Sequence, residues 1–464
     1  MWPLRAGALG EKLSTLRDTW NFAGLKEEGT AALAYVLVGA NGLHTLNLAG
    51  NQFGAGGASH ILGALKSNTT IKHMDLNNIN LTNRGKDMSG VTKLSEALKE
   101  NSSLVELNFA GNELEKDSHS ALGRALLKNN GSKLAFMTCD KFSIGPKDVD
   151  LHLQSKGLTS ADAALLAGVL KANTVVKSLN VCKNGITGDF AKILANIVLE
   201  HPSLIDFCEI PLESLRNNTL TELDLNGKDV GVPGAIVLAK LLLAATALIS
   251  LNLFNNNTGE EGGMLVAEAL LVNRSLKTLK SDHLGLKGAK VMGNVLEINN
   301  VLLTLEAPKN SIGAEGAIKI AAGLKKNTSL TSMKLDDNQL CDVDEDGYGS
   351  YSAEGVSAIA EALKVNSTLK SIRLACNQFG AKGASHISNA LKANTTLTHL
   401  DVSSNCFGAA GAEHFINVLK VNTTLQSLNL SKNSLTNNGR DMSGVIKLSE
   451  ALKENSSLVE LNVC

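Results

Sequence analysis

Four acidic residues within one short segment have a spacing that is typical of metal binding. They are Asp342, Asp344, Asp346 and Glu354. The three aspartates alternate and Gly347 follows them, which is how a calcium-binding loop begins, because alternating carboxylates can converge on one hard cation. The twelfth position of such a loop should supply a bidentate Glu, but here it is Ala353. The sequence therefore predicts an acidic solvated loop and no cofactor, with calcium binding by these four residues as the alternative.

A second group of charged residues follows a series of strand-like segments between residues 276 and 373. Most such segments carry Asn or Asp between their last two apolar residues, but this run carries larger charged side chains there or nearby. The group consists of Lys280, Glu306, Lys309, Lys334, Asp336, Asp337 and Arg373. If the segments are neighbouring parallel strands, these residues lie about 4.8 Å apart and form a stripe beside the acidic loop. We predict a partner-binding patch; ordinary surface variation is the alternative.

Motifs of catalysis and cofactor binding are absent from the sequence. It has no GxxxxGK[ST], no GxSxG, no HExxH and no zinc-type spacing of Cys and His. The sequence therefore predicts a protein that is not an enzyme and that has no catalytic residues.

The elements that must position the charged residues come from a repeat. The pattern Leu-x-x-Leu-x-Leu-x-x-Asn recurs along the chain, with clear starts at Leu43, Leu104, Val176, Leu220, Leu248, Leu302, Leu330, Leu369, Leu397 and Leu425. The last three starts are separated by 28 residues each. The leucine half of each unit alternates like a short strand, and the second half has apolar residues at helical spacing. A fixed period of this kind indicates one strand–helix unit stacked on itself.

The spacing of the two element types predicts the shape of the stack. Parallel strands lie about 4.8 Å apart, whereas packed helices need about 8–10 Å. The stack should therefore curve into an α/β horseshoe with parallel strands on the concave face and helices on the convex face. Aromatic residues are only 3% of the chain, so Leu, Ile, Val and Ala must fill the core. The recurring Asn closes each strand, where a column of amides can hydrogen-bond neighbouring loops.

Residues 1–464 are predicted to form a single solenoid of about 16 units. Two units are truncated, at 134–147 and 204–219, and both lack a recognisable helix. Insertions interrupt three others, at 81–88, 341–352 and 435–442, between strand and helix. The first and third of these are nearly identical in sequence, which indicates an internal duplication.

The repeat carries a resemblance to a known family. The unit at 369–396, LKSIRLACNQFGAKGASHISNALKANTT, is typical of it, and the resemblance covers Leu13 to Cys464. The chain resembles leucine-rich repeat proteins of the ribonuclease-inhibitor-like subclass, which includes ribonuclease inhibitor, the repeat arm of NOD-like receptors and the Ran GTPase-activating protein. The resemblance implies a non-catalytic scaffold that binds a protein partner. A GTPase activator and the sensor arm of a NOD-like receptor remain as alternatives.

Composition bounds the partners and the compartment. The net charge is -1, which argues against a dedicated nucleic-acid or anionic-membrane binder. The seven cysteines are scattered without a CxxC pair, and the first twenty residues lack the apolar core of a signal peptide. We therefore expect free thiols, a cytoplasmic location and a monomer. Because the chain ends on a strand, LVELNVC, we expect it to be a fragment or an imperfect gene model.

Overall fold

The computed structural model describes residues 18–344, 346–436 and 442–463. The chain divides into two compact units, Met1–Leu212 and Glu213–Cys464, and each is described by itself. The repeat start at Leu13 and residues 437–441 of the third insertion lie outside the described residues. The prediction of one continuous solenoid over 1–464 stays a prediction.

The first unit contains two sheets with helices between successive strands. In chain order its elements are β1 (Thr19–Asn21), α1 (Glu27–Gly39), β2 (Thr45–Asn47), α2 (Gly54–Leu65), β3 (His73–Asp75), α3 (Ser89–Glu100), β4 (Glu106–Asn108), α4 (Lys116–Lys128), β5 (Phe136–Thr138), β6 (Ser143–Ile144), β7 (Asp150–His152), α5 (Ser160–Leu170), β8 (Ser178–Asn180), α6 (Gly188–Glu200), β9 (Asp206–Phe207) and β10 (Ile210–Pro211). Strands β1 to β5 are parallel, and β6 pairs antiparallel with β5. Strands β7 to β9 are parallel, and β10 pairs antiparallel with β9.

The second unit is built around one nine-stranded parallel sheet. A short helix, α7 (Leu212–Arg216), begins at the last residue of the first unit. The elements that follow are β11 (Glu222–Asp224), α8 (Gly231–Leu242), β12 (Ser250–Asn252), α9 (Gly259–Ala269), β13 (Thr278–Lys280), α10 (Gly285–Ile298), β14 (Thr304–Glu306), α11 (Gly313–Leu324), β15 (Ser332–Lys334), α12 (Glu354–Val365), β16 (Ser371–Arg373), α13 (Gly380–Leu391), β17 (His399–Asp401), α14 (Gly408–Leu419), β18 (Ser427–Asn429), α15 (Ser443–Glu454) and β19 (Glu460–Asn462). The strands lie in the sheet in chain order, from β11 to β19.

The repeating leucines explain both layers. In each three-residue strand of the second unit the middle residue points inward, so Leu251, Leu305 and Ile372 are fully buried. The helices close the core with residues at helical spacing, such as Ile387 and Leu391 of α13. This geometry confirms the predicted α/β architecture of parallel strands with helices on the other side. No helix among the described residues is both long and apolar enough to cross a bilayer.

The recurring asparagine works as predicted. Asn377 is fully buried; its Nδ2 donates to the carbonyls of Leu335 and Leu374, both at 3.0 Å, and its Oδ1 accepts from the Asn338 backbone N–H at 2.9 Å. Asn405 repeats this arrangement one unit later, with its Oδ1 accepting from the Asn377 N–H at 2.9 Å. The column therefore satisfies buried backbone groups of neighbouring units, which would otherwise be costly.

The truncated segment 134–147, all of which the structure describes, contains β5 and β6 but no helix. Helices α4 and α5 consequently pack directly on each other. The contact is close at Gly123, where a Cβ would lie 2.6 Å from the Ala164 carbonyl carbon. At the N-terminal end of the contact, His119 Nδ1 lies 2.6 Å from Asp162 Oδ1, and both side chains are buried.

The other truncated segment, 204–219, was predicted to have no helix, and this prediction is wrong. Leu212–Arg216 form the short helix α7 directly after Pro211. Proline has a fixed φ that suits the start of a helix, and Leu212 and Leu215 are buried. Five residues are too few to show a helical period in the sequence, which is why the helix was missed.

Candidate functional site

Charged side chains lie at one position on five consecutive strands of the second unit. The position follows the buried middle residue, so its side chain points away from the core. In-register pairing aligns Lys280 of β13, Glu306 of β14, Lys334 of β15, Arg373 of β16 and Asp401 of β17. We call these five residues the charged strand row. Asn252 of β12 and Asn429 of β18 occupy the same position on either side of it.

Glu306 joins two lysines in the first half of the row. Its Oε1 is 3.6 Å from Lys280 Nζ, and its Oε2 is 3.0 Å from Lys334 Nζ. Because the strands are in register, the carboxylate lies between two cations at the same height on neighbouring strands. Both carboxylate oxygens of Glu306 therefore take part in ion pairs.

Arg373 joins two carboxylates in the second half. Its Nε lies 2.9 Å from Asp336 Oδ2, and its Nη2 lies 3.8 Å from Asp401 Oδ2. Asp336 Oδ1 also accepts from the Ala375 backbone N–H at 2.9 Å. Burial raises the pKa of Asp336, although Arg373 and the Ala375 N–H act in the opposite direction. Burial tends to lower the pKa of Arg373, but Asp336, Asp401 and Glu306 together outweigh it and the guanidinium pKa is raised.

Not all of the predicted stripe residues lie in or beside this row. Lys280, Glu306, Lys334, Asp336 and Arg373 come together as described. Lys309 and Asp337 instead line a separate surface pocket of about 310 Å³, together with Asp344 and Asp346 of the inserted loop. The acidic loop is thus next to the ends of the strands, as the sequence predicted, but two of the predicted residues face the loop.

The structure does not gather the four predicted calcium ligands. Asp342 Oδ1 accepts from the backbone N–H of Ala314 in α11 at 2.7 Å. Asp344 Oδ1 accepts from the backbone N–H groups of Tyr348 at 2.8 Å and Asp346 at 3.1 Å. Within residues 18–344, 346–436 and 442–463, no three or more His, Cys, Asp or Glu side chains are placed to hold a metal ion. The carboxylates of Asp342 and Asp344 are used at a helix start and in a local turn, so nothing in this geometry favours calcium.

Sequence reasoning missed Asp401 and the groove beside it. Asp401 follows Arg373 by 28 residues, one repeat, so the period itself could have placed it in the row. Asp401 does not stand out in the sequence, because most units carry Asn or Asp at this position. A groove of about 250 Å³ continues the row past Arg373, lined by residues that include Ser371, His399 and Asn429.

Comparison with known proteins supports the leucine-rich repeat architecture. A model of the leucine-rich repeat family matches residues 42–62, 216–239, 365–388, 393–415 and 421–442. The ribonuclease inhibitor of Sus scrofa is 27% identical over 331 residues, which cover 70% of this chain and 64% of that protein. The human NACHT, LRR and PYD domains-containing protein 14 is 27% identical over 274 residues, which cover 56% of this chain and 23% of that protein.

The chain contains leucine-rich repeats and is similar to ribonuclease inhibitor. It spans less than two thirds of the length of these curated relatives. Among solved structures, the leiomodin-1 actin-binding site 2 is 22% identical and covers 32% of this chain, but its TM-score of 0.27 is too low to support an argument. Leucine-rich repeat proteins typically mediate protein–protein interactions.

Proposed function

We propose that this chain is a non-catalytic scaffold that binds a protein partner through the charged strand row. One observation carries the proposal: five consecutive strands present charged side chains at a single aligned position, bounded on both sides by asparagines. Core packing does not require charge there, because Asn252 and Asn429 occupy the same position in otherwise similar units.

The scaffold is suited to recognition because the row is held by rigid elements. Each strand is hydrogen-bonded to both neighbours, and the ion pairs restrict the long side chains before a partner arrives. Less side-chain entropy is then lost on binding. Charges at such a contact chiefly set specificity and register.

Site-specific photocrosslinking tests the proposal. A photoreactive amino acid replaces Thr304 or Ser332, which lie on the same strand face two residues before Glu306 and Lys334. The control replaces Val365, the last residue of α12, or Val421, which follows α14; both are exposed. We expect one protein to crosslink at both strand positions and at neither helix position. Crosslinking only at the helix positions would contradict the proposal.

A second candidate is the sensor arm of a NOD-like receptor. The match to human NACHT, LRR and PYD domains-containing protein 14 favours it, although this chain spans 23% of that protein. A full-length transcript that encodes an upstream nucleotide-binding domain would support this candidate, and one that lacks the domain would exclude it. A GTPase activator of the Ran-directed type stays a prediction, which stimulated GTP hydrolysis by a small GTPase would test.

Free thiols and net charge bear on the location of the protein and on the partners it can bind. The six cysteines within the described residues are free thiols, which suits a reducing compartment, and we propose a cytoplasmic location. We propose a monomer that needs no cofactor and binds neither nucleic acid nor membrane, since the net charge is -1.

A further inference from the structure

We propose that the surface recognised by the charged strand row is acidic, specifically a carboxylate-rich segment of a protein partner. The inference rests on the proposed function and adds to it the chemistry of the partner. The charged strand row and Asp336, which pairs with Arg373, together contain three cations and three carboxylates, so the formal charge of this site is balanced. The two signs differ, however, in how they are presented to a partner.

The cations are the outer groups of the site. The exposed fractions of the side chains are 35% for Lys280, 36% for Lys334 and 47% for Arg373. The carboxylates lie beneath them, with exposed fractions of 13% for Glu306, 17% for Asp336 and 15% for Asp401. A partner that approaches the strand face therefore meets ammonium and guanidinium groups first.

The hydrogen-bonding capacity of the site has the same asymmetry. Glu306 uses both oxygens on the two lysines, and Asp336 uses both on Arg373 and the Ala375 N–H. Asp401 Oδ1 accepts from the backbone N–H of Ser403 at 3.0 Å and from its hydroxyl at 2.7 Å. An ammonium has three donors and a guanidinium five, and the described ion pairs use only one or two of each. Most N–H donors of the cations thus remain for a partner, whereas each carboxylate oxygen already has at least one partner.

The adjoining groove offers further donors beside Arg373, together with the carboxylates of Asp401 and Glu460. The Asn429 Oδ1 accepts from the Ser431 N–H at 3.1 Å, so its NH2 group is the part that can face an incoming carboxylate. Ser371 and Arg373 line the same groove and can donate as well. An acidic segment that follows the row would therefore end at the donors nearest Arg373, before it reaches Glu460.

Carboxylates fit this site better than the phosphates of nucleic acid. A phosphate backbone binds through a local excess of positive charge, which releases condensed counterions. Here each cation already has a carboxylate partner, so little such excess exists. The donors are arranged for discrete, short-range acceptors, which an acidic protein segment supplies.

Three matched peptides test the inference by fluorescence anisotropy at low ionic strength. They alternate serine with glutamate, glutamine or lysine, and oligo-dT is a fourth probe. We expect the glutamate peptide alone to bind the wild-type protein. The variant Lys280→Asn/Lys334→Asn/Arg373→Asn, which copies the flanking asparagines, should bind it about tenfold more weakly or not at all.

A control variant removes the same charge elsewhere. Lys287→Asn/Lys290→Asn/Lys326→Asn also eliminates three cations, each paired with a carboxylate of a neighbouring helix. We expect this protein to bind the glutamate peptide as the wild type does. Equal losses in both variants would mean that net charge governs binding, and the inference would be overturned.

A second variant changes affinity in the opposite direction. Glu306→Gln removes the carboxylate that competes for both lysines, so the glutamate peptide should bind about threefold more tightly. A merely unfolded protein could not give that result. Failure of the glutamate peptide to bind, or preference for the lysine peptide or oligo-dT, refutes an acidic partner. The proposed function is judged separately, because crosslinking at Thr304 and Ser332 does not depend on the sign of the partner.

Discussion

At the residue scale, buried amides and ion pairs connect one repeat to the next. The side chain of Asn377 bonds the backbone of the preceding unit and of its own strand end, and it receives a backbone N–H from Asn338. His119 and Asp162 make the corresponding link between α4 and α5. Polar groups of this kind are costly when left without partners, so single substitutions should have large effects.

Replacement of Asn377 by alanine should destabilise the second unit. It leaves the Leu335 carbonyl and the Asn338 N–H without their partner in the core, and we expect a loss of about 2–4 kcal/mol in the free energy of unfolding. Urea denaturation measures the change. The control is Gln426→Ala, an exposed side chain in the same unit, for which we expect almost no change. Equal effects of the two would contradict a structural role of the asparagine column.

Acid stability should depend on Asp162. Burial tends to raise the pKa of this carboxyl, but hydrogen bonds from His119 and from Thr159 outweigh it and hold the pKa below the ordinary value. A lowered folded-state pKa contributes stability above the unfolded-state pKa, about 3.9, and loses it as the pH falls through the folded-state value.

We therefore expect Asp162→Asn to be less stable than wild type near neutral pH and to lose less further stability below about pH 4. Urea unfolding across a pH series measures both differences. Asp117→Asn, an exposed change in the neighbouring helix α4, serves as the control. Parallel pH profiles for Asp162→Asn and wild type would refute the prediction.

At the scale of elements, the missing helix of segment 134–147 determines how α4 and α5 meet. Without a helix between them the two pack at close range, and glycine is what permits the approach. Gly123 faces the Ala164 backbone, and Gly168 faces Leu126, where an added Cβ would lie 2.6 Å from the leucine Cβ. The truncated unit is therefore accommodated by small residues in the flanking helices.

Gly123→Ala should destabilise the first unit by about 1–3 kcal/mol, because the new methyl group overlaps backbone atoms that cannot move independently. Gly63 of α2 is the matched control, since a Cβ there meets no atom within 4 Å. Gly63→Ala should instead stabilise the protein by about 0.5–1 kcal/mol through helix propensity. Thermal and urea unfolding measure the stability change of each variant. Changes of the same sign in Gly123→Ala and Gly63→Ala would be inconsistent with close contact between α4 and α5.

At the scale of the whole molecule, charge is nearly balanced. The chain has 44 basic and 45 acidic residues, and the six charges of the site also cancel. Long-range steering of a charged partner requires a net field, so it should be weak here. The cations then act mainly after contact, when a partner is already within hydrogen-bonding distance.

Binding kinetics should reflect this balance. For the partner identified by crosslinking, we expect an association rate constant of about 10⁵–10⁶ M⁻¹ s⁻¹ that changes little with salt. Lys280→Asn/Lys334→Asn/Arg373→Asn should chiefly increase the dissociation rate. Biolayer interferometry at several salt concentrations separates the two rates. A steep fall of the association rate with salt would show that the site acts by steering.

The repeat architecture was predictable from sequence because it depends on local spacing. Leucine alternation and helical periodicity within each unit specify strand and helix, and the period of 28 residues in the regular units indicates that neighbours stack in register. The position of Lys280, Glu306, Lys334 and Arg373 on one face followed from the same pattern. The asparagine column was predictable too, since one residue type recurs at one place in each unit.

Tertiary structure alone decided the properties that depend on contacts between distant residues. Which carboxylate pairs with which cation, and that cations lie outside carboxylates, depends on side-chain lengths and rotamers across neighbouring strands. The missing helix of segment 134–147 was predictable, but the burial of His119 against Asp162 depends on how α4 and α5 then pack on each other. The aspartates of the inserted loop look alike in sequence, yet Asp342 bonds α11 while Asp344 closes its own turn. Periodicity specifies the backbone, whereas pairing energies between remote side chains specify the site.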